Sequence, residues 1–148
     1  MNPGFETGSL PPWTSSNWFV QGADVNSGSY AAEDNGNYNV AQTFDPIDVG
    51  SINPVTMYSK QPSRTAFQAV DFLYADNSYD EFLVAPGARW TFINTTGNLR
   101  ASGQLNAIGI WGYSSTGNDI TRIDDVVIDT NVIPTELSSW GRVKALYH

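Results

Sequence analysis

The chain contains no cysteine among its 148 residues. Disulfides, thiolate metal sites and cysteine nucleophiles are therefore excluded, and cysteine usage says nothing about the redox compartment. Histidine occurs once, at His148, which leaves no raw material for a Ser-His-acid triad or a His-rich zinc site. Lysine is confined to Lys60 and Lys144, and charged residues make up only 15% of the chain against 13% aromatics. That balance is foreign to helical bundles dressed in Lys and Glu, and it favours β-structure with aromatic-rich faces. No apolar run approaches the roughly 20 residues of a membrane span. No basic-then-apolar leader precedes Asn2, so the expectation is an exported chain whose leader lies outside this sequence. Cations are scarce: 7 Lys and Arg stand against 15 Asp and Glu, a net charge of −8. Such a chain is repelled by nucleic-acid backbones and anionic membranes, which leaves neutral or cationic ligands and divalent cations as partners.

What is present reads as strands. Short apolar runs, several with period two, alternate with clusters of Gly, Pro, Asn, Asp and Ser. Nine strands are predicted at about 17–20, 29–32, 38–44, 49–59, 67–74, 81–84, 89–94, 107–113 and 122–128. The fold class is all-β, a two-sheet antiparallel β-sandwich of the jelly-roll type, over residues 1–130. In 67–74 one face carries Val70, Phe72 and Tyr74 and the other Phe67, Ala69, Asp71 and Leu73; both are largely apolar, as expected of a central strand. In 105–113 Ile108 and Ile110 suit a core. The opposite face, Ala107, Gly109, Trp111 and Tyr113, is either a second buried layer or an exposed platform. Residues 131–148 read as a linker and a short amphipathic tail, either a sorting or anchoring signal or an element packed on the domain or on a neighbouring copy.

The opening Asn2-Pro3-Gly4-Phe5-Glu6-Thr7-Gly8, followed by Trp13 and Trp18, resembles the N-terminus of carbohydrate-binding-module jelly rolls of the galactose-binding-like superfamily. In the same order, Asn26-Ser27-Gly28-Ser29-Tyr30-Ala31 looks like a strand entry of that group and Ile123-Asp124-Asp125-Val126-Val127-Ile128 like its closing strand. Ala69 to Tyr74, Trp90 to Phe92 and Ile108 to Gly112 are similar to a branch common in exported bacterial surface proteins. The resemblance spans about residues 2–129 and speaks to fold more than to function, because function lives in a site grafted on a fold.

That resemblance implies a structural calcium ion held by Glu6 and Asp124, with Asp24, Asn26 and Ser29 as further candidate ligands. A hard cation takes oxygen donors of this kind, and the alternative is that both carboxylates accept backbone hydrogen bonds at turns. A one-residue slip in register would exchange Asp124 with Asp125. It further implies a polysaccharide or glycan ligand, which needs aromatic faces for the apolar side of a sugar ring and polar groups beside them. Candidates are Trp13, Trp18, Tyr38, Tyr58, Arg64, Trp111 and Tyr113, with Tyr79 as a further aromatic and Gln42, Gln61, Gln68 and Asn118 as polar neighbours. Trp90 and Phe92 are assigned to the core.

Catalysis is not expected. Asp71, Asp80 and Glu81 lie near one another, but a glycosidase needs two carboxyls set across a cleft, and a sandwich of this size offers little cleft. The leading expectation is a non-catalytic, extracellular or cell-surface carbohydrate-binding module or lectin-like domain, secreted and of bacterial type. The alternative is a structural or adhesive surface protein that assembles with copies of itself, an exposed terminal segment adding to a neighbour's sheet edge.

Overall fold

The computed structural model describes residues 5–15, 17–62, 66–114 and 119–130. Arg64, Asn118 and the expected tail at 131–148 lie outside the described residues. Among the described residues nine strands form in chain order: β1 (Phe19–Gln21), β2 (Ala31–Asp34), β3 (Asn39–Asp48), β4 (Ile52–Lys60), β5 (Ala66–Tyr74), β6 (Tyr79–Val84), β7 (Thr91–Asn94), β8 (Gln104–Ser114) and β9 (Thr121–Thr130). They make a five-stranded sheet, β1-β2-β9-β4-β7, and a four-stranded sheet, β3-β8-β5-β6. Every pairing is antiparallel, so the chain is a β-sandwich jelly roll. Residues 49–51, expected as the start of a strand, form a 3-10 turn, with Asp48 accepting from the Gly50 N–H at 2.8 Å.

The core lies between the sheets and follows the pleat. β5 contributes Val70, Phe72 and Tyr74, β8 contributes Leu105, Ile108 and Ile110, and β4 contributes Val55 and Met57. In β9 the inward residues are Thr121 and Ile123 and then Val126, a spacing of three where the pleat demands two. The extra residue is Asp125, which has a left-handed φ of 49° and sits where the β4–β9 register shifts between Thr56 and Tyr58. A bulge of this kind bends a strand and re-aims its side chains.

Ahead of β1 the chain fills the sandwich rather than extending a sheet. Phe5 and Trp13 are buried with ring centroids 5.9 Å apart. Thr14 bridges to Ala41 through two backbone hydrogen bonds of 2.8 and 3.0 Å, and buried Trp18 donates its indole N–H to the Tyr38 carbonyl at 3.0 Å. One end of the interior is polar. Ser59 donates to Gln68 at 2.6 Å, Gln61 donates to Thr121 at 3.3 Å, and the buried Asp34 carboxylate accepts from the Tyr38 N–H at 3.3 Å. Gly112 lies against this group: a Cβ there would stand 2.9 Å from both Asp34 Oδ2 and Thr121 Oγ1, so a side chain is excluded by contact.

Candidate functional site

Strand register builds the candidate site. On the outer face of the four-stranded sheet, Ala41 pairs with Gly109, Gly109 with Asp71, and Asp71 with Glu81, a row crossing all four strands. Beside it runs the row Asn39, Trp111, Ala69, Leu83, and on the other side Ala107, Leu73, Tyr79. Small residues in the central row between larger ones on either side leave a trough of about 420 Å³, lined by Asn39, Ala41, Asp71, Leu73, Tyr79, Glu81, Gly109, Trp111 and Tyr113.

The aromatic wall is continuous. Trp111 stacks on Tyr113 with centroids 6.0 Å apart and planes 19° from parallel, and Tyr113 stacks on Phe67 at 4.8 Å with the same tilt. Hydrogen bonds fix the rings: the Trp111 indole donates to Asp71 Oδ2 at 2.6 Å, and the Tyr113 hydroxyl donates to Glu81 Oε2 at 3.4 Å. Burial pushes the Asp71 carboxyl above its ordinary value; the Trp111 hydrogen bond opposes this and the Glu81 charge adds to it. The Tyr113 hydroxyl is likewise raised, first by burial and then by Glu81. Tyr79, 65% exposed, stands at the far side of the trough. The arrangement offers flat apolar faces flanked by hydrogen-bond acceptors, which is what a ring with one apolar face and peripheral hydroxyls or amines requires.

Of the aromatics singled out in the sequence, Trp111 and Tyr113, with Tyr79, come together here. Trp13 and Trp18 do not: they are 2% and 4% exposed, because the segment before β1 closes the sandwich and both indoles serve as its filling. Tyr58 lies in the other sheet, edge-on to Phe92 at 5.4 Å, and Tyr38, though exposed, is outside the trough lining. Gln42, Gln61 and Gln68 point inward and are buried, so they are no polar neighbours of a ligand. Phe92 is 54% exposed, since β7 is an edge strand, and Trp90, just ahead of β7, is half-buried with its indole on Asp24; the core assignment of both is corrected. Asp71, Glu81, Leu73, Asn39 and Gly109 were missed as site residues. Period two already placed Asp71 and Gly109 on the faces of Phe67 and Trp111; what was lacking was the pairing that sets them side by side.

A second acidic group lies over the five-stranded sheet. Residues 26–30 are clasped from two sides. Glu6 accepts from the Ser29 N–H at 2.9 Å and the Tyr30 N–H at 3.4 Å. Asp124 Oδ2 accepts from the Asn26 and Ser27 N–H groups at 2.9 and 3.2 Å. The bulge turns Asp125 to the same loop, where it accepts from the Asn26 amide at 2.9 Å and the Ser27 hydroxyl at 2.8 Å. Gly28, at φ +61°, leaves the space that the Glu6 carboxylate fills, for a Cβ there would lie 2.3 Å from Glu6 Oε1. Burial, reinforced by the Asp125 charge, pushes the Asp124 carboxyl up to about 6 against three backbone N–H donors.

Glu6, Asn26, Ser29 and Asp124 are thus neighbours along one loop, whereas Asp24 is committed elsewhere. Asp24 Oδ2 takes Lys60 Nζ at 2.6 Å and Arg122 Nη1 at 2.7 Å, and Oδ1 accepts from the Trp90 indole at 3.1 Å. Burial raises its carboxyl, but the Lys60 and Trp90 hydrogen bonds and the Arg122 charge outweigh this and hold it below the ordinary value. A carboxylate so paired is no candidate cation ligand. Among the described residues no group of three or more Asp, Glu, His or Cys is arranged to hold a metal ion.

No family model and no curated protein matches the sequence. Solved structures do match. The carbohydrate-binding module TmCBM61, determined in complex with β-1,4-galactotriose, superimposes with a TM-score of 0.67 at 18% identity, covering 87% of this chain and 95% of that one. The two share the β-sandwich jelly-roll fold. The CBM22-1 xylan-binding domain of Paenibacillus barcinonensis Xyn10C gives 0.56 at 11% identity, with 86% and 91% coverage. The enzymatically active domain of a bacteriophage CBA120 tailspike protein gives 0.66 at 17% identity, where this chain covers 21% of that larger one. Identities this low establish the architecture alone. No helix among the described residues is long and apolar enough to cross a membrane.

Proposed function

We infer that this chain is a non-catalytic carbohydrate-binding domain of an extracellular or cell-surface protein, with its ligand lying in the trough on the outer face of the four-stranded sheet. The observation that carries this reading is the Trp111, Tyr113 and Phe67 stack beside a floor of Ala41 and Gly109, held in place by Asp71 and Glu81. The galactotriose-bound and xylan-binding modules of the same fold support it.

The same carboxylates argue against hydrolysis. Asp71 and Glu81 are cross-strand neighbours on one face, so both approach a bound sugar from the same side. Glycosidic cleavage needs its two carboxyls flanking the scissile bond. Soluble galactan, xylan and other oligosaccharides, neutral and amine-bearing, tested by titration calorimetry should give binding that Trp111→Ala weakens at least about tenfold, the equivalent of about 1.4 kcal/mol. A folded protein that binds none of them, or an alanine variant that binds as well as the parent, would sink the reading.

A structural calcium ion belongs to the same proposal. Glu6, Asp124, Asn26 and Ser29 supply oxygen donors of the hard type along one loop, and the buried Asp124 lies beside a like charge that a cation would offset. Bound there, calcium would tie the segment before β1 to the last strand. Stability should then rise with free calcium, by about 2.7 kcal/mol at a hundredfold excess over its dissociation constant. A melting temperature indifferent to calcium and to chelator would leave the loop held by hydrogen bonds alone.

A further inference from the structure

Resting on the glycan reading, the trough's charge names the class of sugar. Each of the four strands contributes to its lining: Asn39 and Ala41 from β3, Gly109, Trp111 and Tyr113 from β8, Asp71 and Leu73 from β5, Tyr79 and Glu81 from β6. The charged groups among them are Asp71 and Glu81, both negative. They stand directly opposite each other across the β5–β6 ladder, the arrangement in which like charges destabilise a sheet. Asp71 Oδ1 is shut off from solvent without a hydrogen-bond partner, while Oδ2 is taken by the uncharged Trp111 indole. Three other acids are matched to cations, Asp24 with Lys60 and Arg122, Glu33 with Arg122 and Asp80 with Arg100, and Glu6, Asp124 and Asp125 are spent on the N–H and O–H groups of residues 26–30. In the trough Glu81 is exposed and Asp71 half-buried beside it, and aromatic donors rather than cations are their partners among the described residues.

We propose that the trough selects glycans whose sugar units carry an ammonium group, of the 2-amino-2-deoxyhexose class, and rejects uronate chains. The aromatic wall takes the apolar face of the ring. Exposed Glu81 meets the ammonium in a charge-assisted hydrogen bond, which is stronger than one to a hydroxyl. Asp71 orients Trp111 and adds to the negative field of the groove, which low-dielectric walls concentrate. A uronate carboxylate placed in the same groove meets two like charges.

The test compares four soluble oligomers of similar length in mildly acidic buffer: glucosamine, N-acetylglucosamine, β-1,4-linked galactose and galacturonate. The glucosamine oligomer should bind about tenfold tighter than its N-acetylated counterpart at low salt. That margin should shrink as salt screens the groove, and galacturonate should not bind. Glu81→Gln should pull the affinity for the glucosamine oligomer down toward that of the N-acetylated one. Asp129→Asn, which removes an exposed carboxylate from β9 of the other sheet, should leave the ratio unchanged. Equal affinity for amine and N-acetyl oligomers, a ratio untouched by Glu81→Gln, or binding of galacturonate would overturn charge selection while leaving the glycan reading in place. Failure of the folded protein to bind any of the four would overturn the glycan reading itself.

Discussion

The outer faces of the two sheets use acidic residues in opposite ways. Over the five-stranded sheet, Asp24 and Glu33 are locked to Lys60 and Arg122 at 2.6 to 2.7 Å; this network pins Asp24 in the loop that Glu6, Asp124 and Asp125 clasp from residues 26 to 30. On the four-stranded sheet, Asp71 and Glu81 have aromatic N–H and O–H donors for partners and line an open trough. Charges matched within the chain hold the chain, whereas charges matched to rings hold the rings and leave their negative potential for a ligand. The two faces should therefore respond differently to substitution.

The largest effect should come from the matched face. Arg122 contacts both Asp24 and Glu33 and is 14% exposed, so Arg122→Met strands Glu33 and leaves Asp24 to Lys60 and Trp90. Urea unfolding should show a loss of about 3 kcal/mol with glycan affinity unchanged. A loss under about 0.5 kcal/mol would mean that this face is no more than a solvated surface. Next in size, Gly28→Ala should cost about 2 kcal/mol, since the new Cβ meets the Glu6 carboxylate and the left-handed backbone is strained for alanine. Wild-type stability there would show that the clasp rearranges freely.

On the open face the pattern should invert. Asp71→Asn keeps an acceptor for Trp111 but removes one of two facing like charges, so it should stabilise the fold by about 0.5–1 kcal/mol at neutral pH while weakening cationic ligands. Because folding raises the Asp71 carboxyl, the folded state binds the proton more tightly than the unfolded chain. Ionised Asp71 therefore costs stability above the folded value, and the cost disappears as pH falls below the unfolded value of 3.8. Denaturation of both proteins across that range should show the variant's advantage vanish in acid; an advantage that grows in acid would reverse the assignment. The smallest effect belongs to Tyr79, 65% exposed at the rim: Tyr79→Ser should cost about threefold in affinity and nothing in stability.

Much of this architecture was legible in the chain. All nine strands were expected in their observed order, because turn clusters and period-two patterning are local signals that a pleat converts directly into faces. The central position of β5 followed from its two apolar faces, and Ile108 and Ile110 were read correctly as core. Where aromatic identity replaced pattern, the reading failed. Trp13 and Trp18 sit in a segment without periodicity and are buried. Phe92 looks like a core residue and is exposed because its strand lies at a sheet edge. Gln68 looks like a surface residue and is fully buried, since Ser59, nine positions earlier, satisfies its amide oxygen.

The sequence by itself determined which side chains share a face, for successive residues of a strand must point opposite ways, whatever the strand packs against. The tertiary structure alone decided which face turned outward and which residues met across strands. Gly109 lies beside Asp71 although 38 positions separate them, and Asp71 lies beside Glu81. That register is fixed by closing the whole sandwich over its apolar faces at once, including the bulge at Asp125 that brings Asp124 and Asp125 to one loop. No local pattern encodes it, because a shift by one residue would bury the trough and expose the core.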